Sequence, residues 1–182
     1  MVNSKSAYSV AGKKQRNDTH IIVVWVDNEA GVLARVVGLF SGRGYNIESL
    51  AVAEVDQKQN ISRITIVTTG TPQVIDQIKL QLKKLVPVHK VADFKREDKN
   101  VIFKEMALFK LVANNKKLIS ALNACRNYNP VVLDQTKKSQ VIQITALRSE
   151  IDKMSINLKK FGLVSVSRTG AVAMTRGSEV FK

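Results

Sequence analysis

Two periodicities alternate along this chain. His20–Val26 is rich in Ile and Val and reads as a strand. After Gly31, which permits a tight turn, Val32–Ser41 reads as an amphipathic helix with the stripe Leu33, Val36, Val37 and Phe40. Gly42 and Gly44 end it, and a strand is predicted from about Tyr45 to Val55. The polar turn Asp56-Gln57-Lys58-Gln59-Asn60 leads to a hairpin partner, Ile61–Thr69, with Ile64, Ile66 and Thr68 on one face and Arg63, Thr65 and Val67 on the other. Thr71 is placed to cap a helix with Pro72 at its first position and Ile75, Ile78, Leu82 and Leu85 turned inward. Pro87 stops that helix, and Val88–Phe94 supplies a fourth strand.

The order βαββαβ is the split βαβ arrangement. It predicts an antiparallel sheet with two helices on one face and the other face open. Past the charged stretch Lys95–Asn100 the same order begins again. Lys104–Ala113 reads as a strand, followed by a helix capped at Asn115 and running to about Arg126. A hairpin of Tyr128–Gln135 and Val141–Leu147 follows. Next comes a helix capped at Ser149 with Ile151, Met154, Leu158 and Phe161 inward, and Gly162 just past its end. A last strand, Leu163–Val166 and Ala171–Thr175, is interrupted at Arg168-Thr169-Gly170. The expected fold is α+β, with two ferredoxin-like βαββαβ domains in tandem. The predicted divisions are a flexible basic arm over 1–19, a first domain over 20–94, a linker over 95–103, a second domain over 104–178 and a tail over 179–182.

A hydrophobic content of 45% supports a sizeable core. No apolar run approaches the ~20 residues that span a bilayer, and residues 1–19 show no signal-peptide pattern. The lone cysteine, Cys125, falls on an apolar helical stripe and reads as core; with no disulfide framework, this fits a reducing, cytoplasmic setting. His20 and His89 are isolated and show no metal-ligand spacing. The net charge of +14 raises nucleic acid as a partner. However, the lysine pairs 13–14, 83–84, 116–117, 137–138 and 159–160 never form a longer block and read as solvated surface.

Chemistry concentrates in the first strand-to-helix turn. Its helix N-terminus offers backbone N–H groups and the positive end of a dipole, a berth for a small anion. Asn28 and Asn46 flank it with amides that both donate and accept. Amides and N–H groups without an acid or base suit binding an amino acid, not transforming it. The second half lacks this turn and reads as a structural or coupling module. Three other functions share part of this pattern. An RNA-recognition module shares this strand order but stacks bases on strand aromatics; Ile61–Thr69 has none, and the first strand has only Trp25. A stand-alone enzyme lacks any catalytic constellation. A free-standing amino-acid sensor with another partner remains open.

The stretches DNEAGVLARVVGLFSGRGYNIESLAVAE, SRITIVTTG, QLKKLVPVHKV and VSRTGAVAMTRG resemble the ACT-domain family, and within it the regulatory small subunits of acetolactate synthase. Ala30 stands where the family often has Pro or Ser, and Ala51 where it often has Thr. The resemblance covers about residues 20 to 178. It implies a subunit with no catalytic centre and no cofactor of its own. Its catalytic partner holds thiamine diphosphate, flavin (FAD) and magnesium, is raised in activity by it, and is feedback-inhibited through it by valine or another branched-chain amino acid. The family also implies a homodimer through the ACT domains, with the effector at their shared interface. Carried over by motif, the ligand residues are Asn28, Gly31, Val32 and Leu33 of one chain and Asn46 and Ile47 of its neighbour. Neither nucleic acid nor membrane is expected as a partner.

Overall fold

The first sheet is organised around β1 (Asp18–Asp27), which pairs antiparallel with β3 (Ile61–Gly70) on one side and β4 (Val88–Lys95) on the other; β2 (Ser49–Asp56) adds to β3 as an edge, giving the order β2-β3-β1-β4. The computed structural model describes residues 17–178. The predicted basic arm, apart from its last residues, and the tail after Ser178 lie outside them. Helices α1 (Val32–Ser41) and α2 (Pro72–Leu82) cover one face, sealing Ile22, Val36, Phe40, Ile64, Ile66, Ile75, Ile78 and Leu82 from water. Each such side chain contributes about 1.5–3 kcal/mol on burial. Thr71 caps α2 as expected, its Oγ1 accepting from Val74 N–H at 3.4 Å.

The second unit repeats this plan. Strands β5 (Val101–Val112), β6 (Val131–Gln135), β7 (Ser139–Ala146) and β8 (Leu163–Thr175) form a sheet of order β6-β7-β5-β8. Helices α3 (Asn115–Ala124) and α4 (Arg148–Leu158) pack on it around Phe109, Leu111, Leu118, Ile142, Ile144 and Leu158. Cys125 belongs to this core, fully buried, with its thiol donating to Met154 Sδ at 3.5 Å. Burial pushes the thiol up to about 11. The folded protein is therefore expected to be inert to a thiol reagent at neutral pH and to react stoichiometrically once unfolded. Because the folded state holds this proton more tightly, the thiol's contribution to stability fades as pH rises towards 11.

Several expectations are corrected. The α1 stripe is Val32, Val36, Leu39 and Phe40, and Leu33 is 41% exposed. The second strand begins at Ser49, so Tyr45 to Glu48 form an irregular connector. Tyr45 N–H still bonds the helix-end carbonyl of Phe40 at 2.9 Å, which delays the strand. β5 begins at Val101, not Lys104, because Val101 is buried at the junction between the two units. Asn114 caps α3, its Oδ1 accepting from Lys117 N–H at 3.0 Å. At α4 the cap position is Leu147, whose N–H donates to the Glu150 carboxylate at 2.9 Å. β8 is one continuous strand, in which Arg168-Thr169-Gly170 lies at a register shift against β5.

The largest correction concerns the supposedly open face of the first sheet. Ile21, Val23 and Val67 on that face pack with Val101, Ala171 and Ala173 of the second unit into a third buried cluster flanked by Trp25, Phe94 and Phe103. Polar ties reinforce it: Ala171 N–H donates to Ser49 Oγ at 3.2 Å, Arg148 donates to the Glu48 carbonyl at 3.2 Å, and Arg63 donates to the Ala173 carbonyl. Gly170, at φ 82°, lies so close that a Cβ there would stand 2.8 Å from Ser49 Oγ. Both faces of β1 are thus covered, which its unbroken run Ile21–Val24 signals.

Candidate functional site

The β1–α1 turn is held from two sides. Asp27 N–H donates to the Pro87 carbonyl at 2.9 Å, and Asn28 N–H donates to the Asn60 carbonyl at 2.7 Å. Ser62 Oγ donates to Asn28 Oδ1 at 3.0 Å, which fixes the amide and leaves its N–H groups as donors. Gly31 takes φ 84°, a left-handed conformation that lets the chain enter α1 abruptly. Its carbonyl accepts from Arg35 N–H at 3.0 Å, whereas Val32 N–H reaches only the Glu29 carbonyl at 3.4 Å. Helix α1 has no side-chain cap and no acidic residue in its first turn. No side chain of that first turn therefore offsets its positive end. The Asp27 carboxylate next to the turn is engaged by His89 Nε2 at 2.6 Å. Val32 sends its side chain into the core and can offer a ligand only its backbone, while Leu33 faces solvent beside the turn.

Asn46 and Ile47 lie in the connector after α1. Thr68 Oγ1 donates to the Asn46 carbonyl at 2.7 Å, and Glu48 N–H donates to the Val67 carbonyl at 2.8 Å. The Asn46 side chain is exposed, and Ile47 is half-buried against the first core. The structure thus gathers Asn28, Gly31, Val32 and Leu33 in one place and Asn46 and Ile47 in another. Between them runs the ten-residue α1, about 15 Å at 1.5 Å per residue. One copy of the chain cannot close both sets on one small molecule. Beside them, edge strand β2 shows Val52 44% and Val55 52% exposed.

A family model described as the AHAS small subunit-like ACT domain matches residues 22–90, and one described as the small subunit of acetolactate synthase matches residues 104–177. The acetolactate synthase small subunit of Aquifex aeolicus is 39% identical over 158 residues, 86% of this chain and 81% of its own. That of Mycobacterium bovis is 35% identical over 159 residues, covering 87% of this chain and 93% of its own. The chain belongs to the acetolactate synthase small-subunit family. The crystal structure of the Thermotoga maritima acetolactate synthase small subunit superposes with a TM-score of 0.77 at 30% identity, covering 88% of this chain and 99% of its own.

Membership makes this chain a regulatory subunit carrying an ACT domain, not a catalytic one. Among the described residues no group of three or more His, Cys, Asp or Glu side chains is arranged to hold a metal, and no helix is long and apolar enough to cross a membrane. Sequence reasoning missed Asn60 and Ser62, the residues that orient Asn28. Their signal was the β2–β3 hairpin, which returns to the end of β1 and pairs Ser62 with Val26. Arg168, one of two arginines in the closing motif, has a structural role. Its guanidinium forks onto Glu105 at 2.7 and 2.8 Å and reaches Asp152 at 2.6 Å. The hydrogen bonds to Glu105, more than the one to Asp152, hold its pKa above the usual arginine range.

Proposed function

We propose that two copies of this chain pair through their first units and bind valine, or another branched-chain amino acid, across the boundary. The pair associates with the cytoplasmic catalytic subunit of acetolactate synthase, raises its activity, and withdraws that stimulation when the amino acid binds. The observation that supports this reading is the separation of Asn28 and Gly31 from Asn46 and Ile47 by the length of α1. A neighbour related by a two-fold axis along the exposed β2 edge would bring its Asn46 to the first copy's Gly31. The uncapped N–H groups at the α1 start then meet the carboxylate. The amides of Asn28 and Asn46 share carboxylate and ammonium, and Leu33 with Ile47 encloses the branched side chain. Thiamine diphosphate, FAD and magnesium belong to the catalytic subunit. Inhibition follows by linkage, with a coupling of about 1–3 kcal/mol giving roughly 5- to 150-fold modulation.

Asn46→Ala tests this. It removes a hydrogen bond to a charged group, about 1.5–3 kcal/mol, so valine affinity by titration calorimetry should fall about ten- to a hundredfold. Stimulation of the catalytic subunit should survive. Equal loss of both properties, or a chain that sediments as a monomer with and without valine, would overturn the proposal.

A further inference from the structure

The β5–α3, β6–β7 and α4–β8 connections meet at one end of the second unit. Val112 N–H donates to the Gly162 carbonyl and Ala113 N–H to the Lys138 carbonyl, each at 2.9 Å, which ties the three together. Each connection carries a lysine pair: Lys116-Lys117 in the first turn of α3, Lys137-Lys138 in the hairpin turn, and Lys159-Lys160 in the 3-10 turn Lys159–Phe161 after α4. All of these side chains are exposed. Among the described residues none of them forms an ion pair. The unit's acids are mostly elsewhere. Glu105, Glu150 and Asp152 sit at the opposite end, where Arg168 and the Leu147 N–H engage them. Asp134 on β6 is the one acid on the strands near the lysine end.

This concentration is not needed by the fold. Asn114 already caps α3, and lysines in a helix's first turn add to the positive dipole end, an arrangement that costs stability. Like charges gathered at one end of a domain project a field that draws oppositely charged surfaces together over roughly a Debye length, ~8 Å at physiological salt. We propose that this end of the second unit is an electrostatic docking surface for a carboxylate-rich protein surface, that of the catalytic subunit; the assignment of that partner rests on the function proposed above. Nucleic acid fits less well. The lysine pairs include no arginine fork for phosphates or base edges. Phe161, the aromatic at this end, is half-buried with Lys160 Nζ 5.0 Å above its ring, so it offers no stacking platform.

The test is the association rate of the full-length chain with the catalytic subunit, measured by stopped flow from about 50 to about 500 mM salt, well across the screening range. For the unaltered chain the rate should fall steeply with salt. Lys137→Glu with Lys138→Glu, and separately the neutral Lys116→Gln with Lys117→Gln, should slow association at low salt, the reversal by about tenfold, and flatten its salt dependence. Valine affinity of the free subunit should stay as it was, and its melting temperature should hold or rise slightly, since like charge is removed from the start of α3 in one variant. Unchanged rates and salt slopes in both variants overturn the docking surface while leaving the functional reading intact. An unaltered chain that never associates with the catalytic subunit overturns that reading and this surface together. Tighter binding of single-stranded RNA than of the catalytic subunit at physiological salt, lost on reversal, also overturns it.

Discussion

Replacing Arg168 by alanine is expected to destabilise the second unit by about 3 kcal/mol, at the low end of the range for breaking a buried ion pair. Glu105 is 2% exposed and spends both carboxylate oxygens on Arg168. Removing the arginine strands that charge between β5 and α4, whereas the Asp152 arm, half open to water, contributes little. Thermal unfolding should show a melting temperature lower by roughly 6–12 °C for a chain of this size. The control is the double variant Arg168→Met with Glu105→Leu, which removes both charges and should recover much of the loss. A single variant as stable as the unaltered protein would mean that Glu105 finds water or another donor. Valine affinity of the folded variant should be unchanged, since none of these groups touches the β1–α1 turn.

Gly31→Asp is expected to abolish effector binding without unfolding the protein. A Cβ at Gly31 would meet nothing within 4 Å, so the side chain has room, and the left-handed φ of 84° is one that aspartate tolerates better than most residues. The new carboxylate would stand beside the ligand's own at the start of α1. At ~4 Å and an effective dielectric of ~20, that repulsion is about 4 kcal/mol. Affinity should therefore fall more than a hundredfold. Calorimetry with valine and inhibition of the reconstituted enzyme give the readout, with circular dichroism as the check on folding. Undiminished valine sensitivity would place the ligand elsewhere.

The helix and strand order was legible because each element carries its own period: Ile64 and Ile66 alternate with Arg63 and Thr65, and Ile75, Ile78 and Leu82 recur at helical spacing. Boundaries slipped where a side chain or a partner strand decided them. Asn114, not Asn115, caps α3, and the Tyr45–Phe40 bond delays β2. Val32 and Leu33 are both apolar, and only the packed helix shows that Val32 turns inward and Leu33 outward. Of the candidate site only the turn was legible, Asn28 beside a left-handed Gly31; the sequence does not show that Asn46 lies a helix length away. The roles of Asn60 and Ser62 in holding Asn28 depend on a hairpin, distant in sequence, whose second strand pairs directly with β1.

What the chain dictates by itself is local: two βαββαβ units, an uncapped helix start at Gly31 and a surface rich in lysine. These follow from the spacing of apolar residues and the conformational habits of glycine and proline, which act over a few positions. Only the tertiary structure decided three things. It closed the outer face of the first sheet with Ala171 and Ala173, separated Asn28 from Asn46 by a helix length, and gathered three distant lysine pairs at one end. Each joins residues far apart in sequence, and their proximity is set by strand order and crossover direction, which no local pattern encodes.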